Sequence, residues 1–162
     1  MLVAGFETTT NLLGNGLHVI LQQPQVAAEI AGGFVPAAAF VEEVLRYDSP
    51  VQLTSRVGYE AKIGSVRVSD GDAVTTVLGA GNRDPRRFAD PDVFRPTRTD
   101  GGPLSSGGGA HFCIGAALAR LEGGIAFPKL VRRFPKLKSA GEPVRRETFL
   151  LRGFDELPVT VA

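Results

Sequence analysis

Apolar residues recur at helical spacing near the start of the chain. Leu13, Leu17, Ile20 and Leu21 fall on one face and Pro24 stops the run, which predicts a helix over Met1–Gln23. Gly14 and Gly16 weaken that helix, so packing must hold it. No capping residue opens it, as expected of a chain cut inside a longer helix. Pro24 then suits the first position of a short helix to Ala31, ended by Gly32-Gly33. A third helix is predicted from Pro36 to about Tyr47, before Asp48-Ser49-Pro50 breaks it.

Beyond that break the period shortens. Leu53–Val57, Val66–Val68 and Ala73–Leu78 read as strands, separated by turn signals at Gly64 and Asp70-Gly71. Gly81–Pro85 and Phe88–Phe94, rich in Pro and Asp, read as a loop. Helical spacing returns from about Ile114 to Phe134, with Leu118, Leu121 and Ile125 on the apolar face. Inside it Pro128 removes a donor and crowds the Gly124 carbonyl, which predicts a kink or an early end. The tail, Thr148–Val161, alternates like a terminal hairpin around Gly153–Glu156. With no repeat, low-complexity stretch or linker, the chain reads as one domain or one piece of one.

Composition adds limits. The 162 residues are 43% hydrophobic and 22% charged, as in ordinary soluble globular proteins. A net charge of +1 implies no general attraction to nucleic acid. No apolar run is long enough to span a bilayer, and no secretory signal is visible. A single cysteine excludes an internal disulfide and suits a reducing cytoplasm.

That cysteine, Cys113, sits in Ser105-Ser106-Gly107-Gly108-Gly109-Ala110-His111-Phe112-Cys113-Ile114-Gly115, at the mouth of the last long helix. Glycines let backbone amides approach a bound group, and a helix N-terminus adds partial positive charge. Both favour a thiolate. A phosphate loop is disfavoured by the missing Lys-Ser/Thr pair, and a zinc site by one Cys and two His. His111, two residues from Cys113, would diverge from it rather than act as its base. Two readings remain: a thiolate ligand to haem iron, or an apolar buried cysteine beside a Gly-rich turn.

The loop resembles the haem-binding signature of the cytochrome P450 family, with Gly107, Gly109, His111, Cys113 and Gly115 in register. Ser106 stands where that signature opens with Phe, a ring that shields the sulfur. Four further segments resemble the family in its order. Ala4-Gly5-Phe6-Glu7-Thr8 is similar to the oxygen-activation motif, where Ala4 makes room for haem and Thr8 with Glu7 delivers protons. Glu43 and Arg46 resemble the Glu-x-x-Arg pair, with Arg98 as third member. Asn82-Arg83-Asp84-Pro85 and Asp90-Pro91-Asp92-Val93-Phe94 resemble its meander. Arg56 lies where the family pairs an Arg with a haem propionate, and Val51 and Leu53 would line the pocket.

The resemblance implies an α+β, mainly α fold: the C-terminal portion of the cytochrome P450 fold, as one truncated domain over 1–162. It implies haem b held through the Cys113 thiolate, with His111 and Arg56 on its propionates and Gly107, Gly109, Phe112 and Gly115 in the cradle. The activity implied is monooxygenation of a small organic substrate in the cytoplasm, with electrons from a ferredoxin-type partner and no membrane or nucleic acid involved. Lys129, Arg132, Arg133, Lys136 and Lys138 form either a solvated basic face or the edge that docks this donor. More than half of the family's chain has no counterpart here. The expected alternatives are therefore a non-catalytic remnant, a thiol-based binding protein, and self-association through exposed core positions.

Overall fold

Phe40 lies at the centre of the packing and is fully buried. In the computed structural model, which describes residues 2–161, it belongs to helix α3 (Ala37–Tyr47). It meets Phe127 of helix α5 (Ala116–Arg133) edge to face at 4.9 Å and Phe94 of the following loop at 5.6 Å. Such edge contacts suit the aromatic quadrupole. Helix α1 (Leu2–Gln22) crosses the same core, and α2 (Pro24–Gly32) closes one end with Val26 and Ile30. The architecture is α+β and mainly helical, as the resemblance implied.

The buried face of α1 matches the predicted one only at Ile20. Asn11, Leu12, Asn15, Val19 and Ile20 face inward, whereas Leu13 and Leu17 are half-buried along a groove. Packing selects this face because Gly16 admits a ring. A Cβ there would lie 2.2 Å from Phe127 Cζ, so glycine lets α5 dock closely. Asn15, fully buried, donates to the carbonyls of Asp48 at 2.8 Å and Arg152 at 3.0 Å, joining the end of α3 to the C-terminal segment.

Short strands come in antiparallel pairs. β1 (Thr54–Val57) pairs β4 (Ala73–Thr76) with Arg56 opposite Val74, and β2 (Ala61–Ile63) pairs β3 (Val66–Val68) across a turn at Gly64. The predicted strand to Leu78 ends earlier, and a one-turn helix α4 (Leu78–Gly81) follows, burying Leu78. The predicted terminal hairpin is also corrected. β7 (Phe154–Glu156) pairs β6 (Val144–Arg145), while β8 (Val159–Thr160) pairs β5 (Lys138–Ser139). Only Leu157-Pro158 separates β7 from β8, and proline supplies no N–H for a ladder.

Helix α5 runs through Pro128 without ending. Its buried residues are Ala116, Gly123, Phe127 and Val131, which pack against α1, α2 and α3. Leu118, Leu121 and Ile125, predicted as the inward face, are about half exposed. Contacts with three helices outweigh the missing donor of Pro128.

Between α3 and the loop before the cysteine, Glu43, Arg46 and Arg98 meet in one buried network. Arg46 forks onto both oxygens of Glu43 at 2.8 Å. Its remaining donors reach the carbonyls of Asn82, Pro91 and Val93 at 2.7–3.1 Å. Arg98 Nε adds a bond to Glu43 at 3.1 Å, and its Nη1 pairs Asp100 at 2.7 Å. The Arg95 amide donates to Glu43 Oε1 at 2.7 Å.

Two outcomes follow from this packing. Removing one member of the network (Glu43→Gln or Arg46→Leu) is expected to cost about 3–5 kcal/mol, because the remaining charge stays buried and unpaired. Urea unfolding of single and double variants should show strong non-additivity; additive losses of a few tenths of a kcal/mol would contradict it. The second outcome concerns His18, whose ring meets Phe154 in a tilted contact at 4.7 Å. Burial first, and then the Arg145 cation, hold its pKa below the ordinary 6.5. The unfolded chain therefore binds a proton at a pH where the folded one resists it. This stabilising contribution is complete above 6.5 and lost as pH falls below it. Thermal unfolding across that window should show a steeper pH dependence for the wild type than for His18→Gln; equal slopes would refute the coupling.

Candidate functional site

The cysteine loop is built from its root. Leu104–Ser106 form a turn in which the Gly107 amide donates to the Leu104 carbonyl at 2.7 Å. Gly107 (φ 71°) and Gly109 (φ 60°) adopt the left-handed conformation that side chains resist, which bends the chain into a 3-10 turn over Gly109–His111. The Cys113 amide then returns to the Ser106 carbonyl at 2.9 Å, and the Ala116 amide to the Cys113 carbonyl at 3.2 Å as α5 begins. Cys113 is thus held by its backbone while its thiol is exposed, not buried among apolar groups.

The root of the loop is fastened by a polar cluster. Asn82, fully buried, accepts from the Leu104 amide at 2.7 Å and donates to Ser105 Oγ at 2.9 Å. Ser105 Oγ also donates to the Leu45 carbonyl and contacts Ser49 Oγ at 2.9 Å. Sequence reasoning placed Asn82 in a loop motif but assigned no role to it, to Ser49 or to Ser105. Their signal was weak, since isolated Ser and Asn residues near turns are common.

In front of the loop lies a cavity of about 280 Å³. Ala4, Thr8, Arg56, Gly107, His111 and Cys113, brought from three separate parts of the chain, line it together. Leu12, Leu45, Val51 and Leu78 add apolar wall; Leu53 is not part of the lining, and Thr54 takes a place beside Arg56. Gly115 lies beside the sulfur, where a Cβ would sit 3.8 Å from Sγ. Gly109 shapes the loop without lining the cavity, and Phe112 is about half exposed.

Thr8 and Glu7 are adjacent in sequence but diverge in space. Thr8 Oγ1 donates to the Ala4 carbonyl at 2.6 Å, so the hydroxyl in the cavity wall presents its lone pairs. Glu7 points elsewhere and pairs with Arg146. Successive helical residues project about 100° apart, which separates the two side chains. Among the described residues, exposed Arg56 bonds within its own strand, at Thr54 Oγ1 (2.9 Å) and the Ser55 carbonyl (2.8 Å). Together the wall offers one thiol, one imidazole, one guanidinium and the hydroxyls of Thr8, Thr54, Ser105 and Ser106 among apolar side chains.

Among the described residues, no three His, Cys, Asp or Glu side chains converge as a metal cage. A macrocycle that brings its own equatorial nitrogen ligands needs only one from the protein, and the single exposed thiol fits that requirement.

A family profile for Cytochrome P450 matches residues 37–153. The chain is 46% identical over 163 aligned residues to a putative cytochrome P450 140 of Mycobacterium tuberculosis, covering 99% of this chain and 37% of that protein. It is 42% identical to a 6-deoxyerythronolide B hydroxylase of Saccharopolyspora erythraea, covering 98% of this chain and 40% of that protein. Among solved structures, it superposes with a TM-score of 0.93 on P450BioI bound to an acyl carrier protein carrying hexadec-9Z-enoic acid. There the identity is 43%, over 99% of this chain and 42% of the other. The chain spans about two fifths of the length of these relatives.

The loop geometry can be tested by substitution. Gly109→Ala forces a side chain into the left-handed region and is expected to cost about 1–2 kcal/mol. Gly115→Ala, at φ −86° with only an ordinary contact to the sulfur, should cost less. Thermal unfolding that ranks the two the other way would contradict this backbone.

Proposed function

This chain belongs to the cytochrome P450 family, and from that premise we propose that it is the haem-holding segment of a haem-thiolate monooxygenase. The observation that carries the reading is the meeting of Cys113, His111, Arg56 and Thr8 on one apolar cavity. In this proposal residues 1–162 form the C-terminal part of a single P450 domain.

Cys113 would hold the iron of haem b as the axial thiolate, in a loop whose backbone is already ordered. Haem, when bound, supplies the redox chemistry by which dioxygen and two electrons place one oxygen atom in an organic substrate and the other in water. Arg56 and His111 would hold the propionates. Among the described residues the Arg56 guanidinium bonds only to Thr54 and Ser55, so turning it to a carboxylate breaks no tertiary contact with them. Gly107, Gly109, Phe112 and Gly115 would form the cradle around the sulfur, and Ala4 would leave room for the ring. Thr8, with its own proton engaged at the Ala4 carbonyl, would accept a hydrogen bond from a water or a protonated group in the cavity. Glu7 would exchange protons with solvent. Its partly exposed pair with Arg146 is worth about 0–1 kcal/mol, so opening it is inexpensive.

The substrate class proposed is a small organic molecule, and the donor a ferredoxin-type protein. Lys129, Arg132, Arg133, Lys136 and Lys138 all face solvent, which supports a basic docking edge for an acidic donor. The proposal places the protein in the cytoplasm; no helix among the described residues is long and apolar enough to cross a membrane.

A second reading rests on a specific observation. Ile114, Leu118, Leu121 and Ile125 form an exposed apolar stripe on and before α5, with Ile114 92% exposed. A chain presenting that stripe would self-associate and act as a non-catalytic remnant. Both readings are tested by loading the purified chain with haem, reducing it and adding carbon monoxide. A thiolate-type absorption band that disappears in Cys113→Ala is expected. Its survival in that variant would refute the axial assignment, and no haem uptake by a self-associated chain would favour the second reading.

A further inference from the structure

Ser106 uses both of its polar groups to join Cys113 to a charged pair outside the loop. Its carbonyl accepts the Cys113 amide at 2.9 Å, and its hydroxyl, in the cavity wall, accepts from Arg120 Nη1 at 3.1 Å. The same Nη1 reaches the Ala116 carbonyl at 3.2 Å, tying Arg120 to the first turn of α5. Its other donors, Nε and Nη2, fork onto the two oxygens of Glu42 on α3. A guanidinium held by a carboxylate fork is preorganised, so little freedom is lost in also binding a hydroxyl. Next to it, Ser105 is bonded to the Leu45 carbonyl. Two adjacent serines thus fasten the root of the loop to α3, the first through a backbone carbonyl and the second through a guanidinium.

The two fastenings differ in kind. Ser105 takes part in a neutral cluster with Ser49 and Asn82. Ser106 couples the amide of Cys113 to a cation, and that coupling passes through one residue. Arg120 and Glu42 are 28% and 39% exposed in their side chains, so their pair is partly screened and its geometry matters more than its Coulomb energy.

We infer that Ser106, Arg120 and Glu42 form a clasp that positions Cys113, with Ser106 as the positioning residue. This rests on the reading of Cys113 as the axial ligand. Through the clasp, α3 sets where the sulfur stands, and a guanidinium is fixed against the loop that carries it. Arg120 is neutralised in its fork with Glu42, so the clasp acts on the bound group by fixing the loop and with it the solvent access of the sulfur. Losing it frees the loop and shifts the midpoint potential of that group.

The experiment has a haem-free arm and a haem-loaded arm. In the first, amide hydrogen exchange at Cys113 is measured in the purified chain. Ser106→Ala is expected to speed exchange roughly tenfold, the size of one charge-assisted hydrogen bond at a half-exposed site. Ser106→Thr, which keeps the hydroxyl, should restore the wild-type rate. Arg120→Leu should match Ser106→Ala, and the double variant should exchange no faster than either. Where Arg120→Leu fails to fold, Arg120→Lys serves, since an ammonium cannot fork onto Glu42 and reach Ser106 together.

In the second arm the midpoint potential and the reduced carbon monoxide band are compared. Ser106→Ala should shift the potential and move the band, and Ser106→Thr should return both. Unchanged exchange in Ser106→Ala overturns the clasp. Faster exchange with an unmoved potential and band overturns its positioning role, leaving Ser106 as a brace for the fold. If the band proves indifferent to Cys113→Ala, the axial assignment fails instead, and the exchange rates still decide whether Ser106 places Cys113.

Discussion

A carboxylate that is 3% exposed has to be compensated on every side, and Glu43 imposes that condition on the centre of this protein. Both its oxygens are taken by Arg46, and further donors come from Arg98 and the Arg95 amide. Arg46, equally buried, must then place its spare N–H groups, and it does so on the carbonyls of Asn82, Pro91 and Val93. A stretch with no regular structure is thereby pinned across α3. Such a network gains little net energy over well-packed apolar residues, because desolvation offsets much of the attraction. Its effect is positional: the loop has one place where all these groups are satisfied.

The site inherits that placement. Asn82, whose carbonyl is held by Arg46, turns its side chain to the Leu104 amide and Ser105 hydroxyl, where the cysteine loop begins. The route from Glu43 to Cys113 therefore runs through consecutive hydrogen bonds and a short turn. On the opposite wall, α1 brings Ala4 and Thr8 over the loop, and β1 brings Arg56. α1 keeps its position because Gly16 accepts the Phe127 ring and Asn15 joins two chain segments. Helix α1 and strand β1 carry Thr8 and Arg56, while Gly107 and Gly109 shape the loop that carries His111 and Cys113.

Exposure marks where this packing stops. Ile114, Leu118, Leu121 and Ile125 lie on the side of α5 that no described element covers, and Leu13 and Leu17 line a groove with Phe154 and Leu157. In the same groove Asn11 keeps a buried amide nitrogen with no partner among the described residues. These features accompany a chain that spans about two fifths of the relatives it matches.

Local rules made much of this protein legible from its residues. Pro24 at a helix start, Gly33 in the left-handed conformation at a helix end, and the strand signals around Gly64 act within a few residues, so their outcome follows from sequence. The turn at Gly107 and Gly109 is legible for the same reason, whereas the register of Gly107, Gly109, His111, Cys113 and Gly115 is read from its resemblance to the family signature. What local rules could not decide was which apolar face turns inward. Leu118, Leu121 and Ile125 have the right period, yet Gly123, Phe127 and Val131 are buried, because neighbouring helices select the face that fits them. Pro128 passes through α5, and β7 pairs β6 rather than β8, because contacts distant in sequence outweigh the local signal. The sequence by itself determined helices α1, α2, α3 and α5, strands β1, β3 and β4, and the order of the chemistry-bearing residues, but not α4, β2, β5 or β6. Only the tertiary structure decided that Thr8 shares a cavity with Cys113 while Glu7 turns to Arg146, since that depends on how α1 is rotated against α5, and long-range packing alone sets that rotation.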